Sequence, residues 1–128
     1  MKQKFFIDTV LPGSNDVLRI HPQVYSRMKR DYDMLCRIAI RRAKLKRMEW
    51  AAVTFTWQEK PANKQQWRDP DNIRFGAKFV LDALVHEQIL KDDSIGFVVR
   101  LRDEYEVESS RPGVLVELDG RLLHKGGA

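Results

Sequence analysis

An α+β domain of order β-α-β-α-β-β, with two helices packed on one mixed four-stranded sheet, is what this sequence predicts. Three observations predict it. Four short segments are rich in branched and aromatic residues and end in turn formers. Two longer segments carry apolar residues at helical spacing. No repeat, low-complexity tract or linker divides the 128 residues, a length suited to one domain with one core.

Lys4 to Leu11 forms the first expected strand and stops at Pro12-Gly13-Ser14-Asn15-Asp16, a run of turn residues. A helix is expected from Pro22, suited to the first turn, to Arg47. Met28, Tyr32, Leu35, Ala39 and Ala43 step by four and three along it, which gives one buried stripe. Arg30, Arg37, Arg41 and Lys44 share another face. That face is either simply solvated or a phosphate-contacting stripe. Sign favours the second: from Arg19 to Arg47 there are ten basic residues against Asp31 and Asp33.

Glu49 to Gln58, with Trp50, Val53, Phe55 and Trp57, is the second strand. A polar connector, Lys60 to Trp67, leads to one helix from Asp69 to Val85. Ile95 to Arg102 is the third strand, Asp103 to Ser110 an acidic turn, and Val114 to Leu118 the fourth strand. Asp119 to Ala128 is expected to be a flexible tail.

Composition narrows the function classes. No apolar run approaches the roughly 20 residues that cross a bilayer, and the N-terminus lacks a signal-peptide core. One cysteine, Cys36, excludes an internal disulfide and a thiolate cluster. A cytoplasmic location follows as the default. The net charge of +5 hides an asymmetry. Residues 1–68 hold 15 Lys+Arg against 6 Asp+Glu, and residues 69–128 hold 8 against 12. A basic half suits a polyanion; an acidic half suits a hard cation.

Those acids concentrate around the second helix. Asp69 and Asp71 stand one residue apart at its mouth, and Asp92 and Asp93 follow it. Mg²⁺ takes oxygen ligands from few carboxylates and keeps several waters, so such acids can share one ion. On a continuous helix, Asp71, Lys78 and Asp82 would project from one side. Lys78 would then stabilise phosphate charge or pair with Asp82. Capping explains part of the pattern equally well: Asp at the N-cap, Pro70 next and a second Asp in the first turn all favour a helix start. Asp92-Asp93 alone reads as a turn.

Other chemistries fail. An EF-hand loop begun at Asp69 puts Ile73, Arg74 and Val80 at ligand, glycine and closing-Glu positions. There is no Gly-rich phosphate loop or nucleophile elbow. His21, His86 and His124 make no metal-ligand spacing. Cys36 beside the buried stripe reads as core. Trp50, Trp57 and Trp67 could stack on bases, but Trp50 and Trp57 lie in strands and read as core.

The run Asp69-x-Asp71-Asn72…Lys78…Asp82-Ala83-Leu84…Asp92-Asp93 resembles the RusA-type Holliday-junction resolvases, a family common in prophages. The opening that ends Leu11-Pro12-Gly13-Ser14-Asn15 is similar to that family's as well. The resemblance implies a homodimeric Mg²⁺-dependent endonuclease (Mn²⁺ substituting) that nicks four-way DNA junctions symmetrically. It implies Asp69, Asp71 and Asp93 as essential acids and metal ligands, Lys78 as the essential lysine, and Asp92 as a further ligand. Asn72 and Asp82 take supporting places. Arg68 and Arg74 beside the acids, with Arg30, Arg37, Arg41 and Lys44, would contact DNA. Lys78 follows the Asp-x-Asp-Asn segment by about one helical turn more than the family pattern has it. The alternatives are a branched-DNA-binding protein of phage origin that has lost cleavage, and a scaffold whose acids only cap a helix.

Overall fold

A computed structural model describes residues 1–107 and 110–123. The elements are β1 (Lys2–Ile7), α1 (Ser14–Val17), α2 (Pro22–Ala43), β2 (Met48–Gln58), α3 (Pro70–Arg74), α4 (Ala77–His86), β3 (Val98–Glu106) and β4 (Gly113–Leu122). The strands form one mixed sheet in the order β1-β4-β2-β3. β4 runs antiparallel to both of its neighbours, and β2 and β3 are parallel. A parallel pair needs a crossover, and α3 with α4 supplies it. The α+β class with its mixed four-stranded sheet is therefore the observed one.

Alternation fixes which face of the sheet is covered. Phe5 and Ile7 of β1, Val53, Phe55 and Trp57 of β2, and Val114, Val116 and Leu118 of β4 are all buried. They meet Cys36 and Ile40 of α2 and Val80, Ala83 and Leu84 of α4 in one core. Lys2, Lys4, Thr54, Arg100, Arg102, Glu104 and Glu117 line a shallow concavity on the opposite face. Among the described residues, no helix is long and apolar enough to cross a membrane.

Four expectations need correction. The expected single helix over Asp69 to Val85 is two, interrupted at Phe75-Gly76. A Cβ on Gly76 would lie 3.0 Å from Leu11 Cβ and 3.1 Å from the Trp57 ring, so close packing at this corner uses the missing side chain. The buried stripe of α2 is rotated. Cys36 and Ile40 are buried with Tyr32 and Ala39 beside them, whereas Leu35 and Ala43 are exposed.

The third strand is displaced. Ile95 lies outside it, 92% exposed, and the acidic segment Asp103 to Glu106 belongs to β3, paired residue by residue with Phe55 to Gln58. The tail expected from Asp119 begins as strand: Asp119 pairs with both Lys2 and Ala52, and Leu122 with Met48. Residues 124–128, His124 among them, lie outside the described residues. So do residues 108–109 of the expected turn.

Candidate functional site

α3 begins where the acids stand. Asp69 is its N-cap, and its carbonyl accepts the first helical bond from the Ile73 N–H at 3.0 Å. Its side chain, however, makes no capping bond. The capping explanation thus accounts for the Asp69 backbone and leaves its carboxylate unused. Asp71, two residues later in the first turn, is exposed, as Asp69 is. Neither carboxylate accepts a hydrogen bond or forms an ion pair among the described residues. The acids around them are committed. Glu59 takes both arms of Arg68 at 2.8 Å, and Asp16 accepts from the Gly13 N–H at 2.7 Å. Asp103 accepts from Trp57 Nε1 at 2.8 Å and from Arg74 Nε at 3.1 Å.

Asn72 anchors this start. It is buried, and its Oδ1 accepts from the Asn15 N–H at 2.8 Å and the Ser14 hydroxyl at 3.2 Å. Arg68 reinforces the same junction by donating to the Leu11 carbonyl at 3.2 Å. The Leu11–Asn15 loop and the Asp69–Asn72 segment are therefore one docked unit. On the far side, the Tyr105 hydroxyl reaches the Pro70 carbonyl at 3.5 Å. Burial pushes the Tyr105 hydroxyl above its usual range, helped by Asp103 and, more weakly, by Asp71; Arg74 opposes them. Asp71 is thus within electrostatic reach of β3.

A second group forms along α4. Lys78, Asp82 and His86 repeat every four residues and share one side. Burial raises Asp82 above the ordinary carboxylate range and Asp93 raises it further, while Lys78 and His86 oppose the shift. Asp93 therefore comes close to Asp82 from the loop after α4. Asp92 is held below the usual range by the Asp93 N–H and the Ser94 hydroxyl, an arrangement that stabilises its charged form within the turn.

Asp69 and Asp71 stand at the start of α3, where Asp71 acts on Tyr105, and Asp93 acts on Asp82. No three His, Cys, Asp or Glu side chains among the described residues converge as a metal-binding group. The break at Gly76 also separates Asp71 and Lys78 onto different helices, so they do not share a helix face as expected.

The basic residues divide. Arg37 and Arg41 both donate through Nε to Glu87 at 2.7 Å, and Arg37 also pairs with Asp33 at 3.6 Å. Asp33 in turn meets His86 Nδ1 at 2.8 Å. Arg68 and Arg74 are committed to Glu59 and Asp103. Arg30 and Lys44 are exposed and form no ion pair among the described residues. Of the expected DNA contacts, then, four are tied to carboxylates and two are not. Cys36 is buried as expected, with its thiol pushed up to about 12 by burial and then by Asp33.

Sequence reasoning missed Asp103, Tyr105, Asp33 and Glu87. Only Asp103 carried a signal, as an acid close behind a strand segment; the rest depend on how distant elements meet. Glu87 offers a direct check. Hydrogen bonds from Arg41, then Arg37, hold its carboxyl below the usual range against some desolvation. A depressed folded pKa stabilises above the unfolded value of about 4.3. That contribution is lost as pH falls through the lower, folded value. Glu87→Gln should cost about 1 kcal/mol or less at neutral pH, and urea titrations should show the difference closing below about pH 4.

No family model and no curated protein matches this chain.

Proposed function

We propose that this chain is a Mg²⁺-dependent endonuclease that acts on branched DNA and resolves four-way junctions by paired nicks. The observation that carries the reading is the state of Asp69 and Asp71. Both carboxylates are exposed and, among the described residues, unpaired, at a helix start where Asp69 makes no side-chain cap bond, while neighbouring acids are paired. Two carboxylates two residues apart with no partner of their own are suited to share a hard cation.

The donor set fits a hard cation. Mg²⁺ commonly takes one or two protein carboxylates and completes its shell with water and substrate phosphate, so Asp69 and Asp71 suffice without a third acid. Bound there, the cation would supply charge neutralisation at a phosphodiester. Lys78, on the exposed side of α4, adds a positive charge to the group that includes Asp82 and Asp93. Arg30 in α2 and Lys44 just after it are exposed and form no ion pair among the described residues, which suits them to phosphates and hence to binding that weakens with salt. A four-way junction has near two-fold symmetry, so paired cuts call for two copies of the chain. The reading places the protein in the cytoplasm with the DNA.

The second reading is a branched-DNA-binding protein without cleavage, to which the exposed Arg30 and Lys44, unpaired among the described residues, are equally suited. One experiment separates the two. A labelled four-way junction and a linear duplex of the same sequence are incubated with the protein in Mg²⁺, Mn²⁺ or EDTA. Paired nicks on the junction, absent in EDTA, are the expected result. Salt-sensitive junction binding without nicks in either metal would establish the second reading instead.

A further inference from the structure

The side of α2 turned away from the core is apolar at its middle. Leu35 is 41% exposed, Ile38 37% and Met34 51%, although the buried stripe of the same helix is already supplied by Cys36 and Ile40. Asp31, Leu35, Ile38 and Arg42 step by four, three and four, the spacing that keeps residues on one helix side and forms the seam of a coiled coil. This side is distinct from the one on which Arg37 and Arg41 reach α4.

The order of residues along this seam selects what covers it. In an antiparallel pair of identical helices, a two-fold axis midway between Leu35 and Ile38 sets each against the other in the second copy. The same axis lies midway between Asp31 and Arg42, so each Asp31 meets an Arg42 at both ends of the apolar centre. A parallel pair would set Asp31 on Asp31 and Arg42 on Arg42, like on like. Neither Asp31 nor Arg42 makes an ion pair within the described residues, whereas Asp33, Arg37 and Arg41 on the same helix are engaged.

We propose that the chain forms a two-fold dimer in which α2 packs antiparallel on α2 of a second copy, with Leu35 against Ile38 and Asp31 against Arg42. The inference gives a surface to the two-copy part of the reading above and depends on no feature of the acidic site.

Analytical ultracentrifugation of the full chain across a dilution series tests it without any nuclease assay. Wild type should sediment as a dimer and Leu35→Glu/Ile38→Glu as a monomer with unchanged circular dichroism. Asp31→Arg and Arg42→Asp alone should each weaken association about tenfold or more through like-charge contacts, and the two combined should restore it. A wild type monomeric at every concentration overturns the proposal. So does a dimer indifferent to Leu35→Glu/Ile38→Glu, which would be using another surface such as the open edge of β3. Failure of the combined variant to recover overturns the register. None of these outcomes bears on nicking, and a wild-type dimer that cleaves nothing leaves the interface standing.

Discussion

Asp71→Asn should reduce Mg²⁺-dependent nicking of a four-way junction by at least about 10²-fold while leaving the fold almost untouched. The substitution preserves shape and removes one charge. Its structural cost is the favourable interaction of an acid with the first turn of a helix, about 0.3–1 kcal/mol, because Asp71 accepts no hydrogen bond within the described residues. A large loss of activity at nearly constant melting temperature is the signature of a residue that is present for something other than stability. The measurement is a single-turnover nicking rate at saturating junction, paired with thermal unfolding of the same preparations. Wild-type rates in the variant would remove Asp71 from the chemistry and with it the claim that its free carboxylate holds a cation.

The same logic tells Asp71 apart from the acids around it. Asp103 receives the Trp57 indole N–H and Arg74, and Glu59 receives Arg68 through two bonds. Removing either partner strands a group that is largely buried, so these residues should act on stability. Activity and stability thus separate on whether a carboxylate has found a partner inside the chain.

How much of this was legible before the fold depends on whether the cause was local. The strands were legible because Val53, Phe55 and Trp57 alternate with threonines and Val114 to Leu118 is a short run of branched residues after a turn signal, both local properties. The stripe of α2 was misplaced by one residue because the helix is apolar on two sides. Periodicity counts Leu35 and Cys36 alike, and only the docking of α4 and β1 decides that Cys36 goes inside. The break at Gly76 was hidden because a single glycine is tolerated within a helix; what stops α3 there is Leu11 and Trp57, distant in sequence. The acidic end of β3 read as a turn because Asp and Glu disfavour strands, a preference overridden where Asp103 gains Trp57 and Arg74. For the site, Asp69 and Asp71 were legible as a pair, but the break at Gly76, which puts Lys78 on a different helix from Asp71, was not.

The largest expected effect on stability joins the two motifs. Asn72→Ala removes a buried acceptor that takes two part-buried bonds, from the Asn15 N–H and the Ser14 hydroxyl, each worth about 0.5–1.5 kcal/mol. A loss of about 1–3 kcal/mol is expected, against a total of roughly 6–19 kcal/mol for a chain of this size. Gly13→Ala should be comparably harmful for a steric reason. Its φ of −95° suits any residue, yet a Cβ there would collide with Asn72 Oδ1, with Cγ at 2.7 Å and the Asn72 carbonyl at 2.8 Å. Shortening Asn72 to alanine clears the first two contacts and leaves the carbonyl. The double variant Gly13→Ala/Asn72→Ala should therefore be less destabilised than the two single losses added together, a coupling of about 0.5–3 kcal/mol readable by urea unfolding of the four proteins. Strict additivity would mean that the Leu11–Asn15 loop and the Asp69–Asn72 segment fold independently. Coupling would mean that the position of Asp71 is set partly by a loop 58 residues earlier, and nicking should then fall in Gly13→Ala although Gly13 touches no acid of the candidate site.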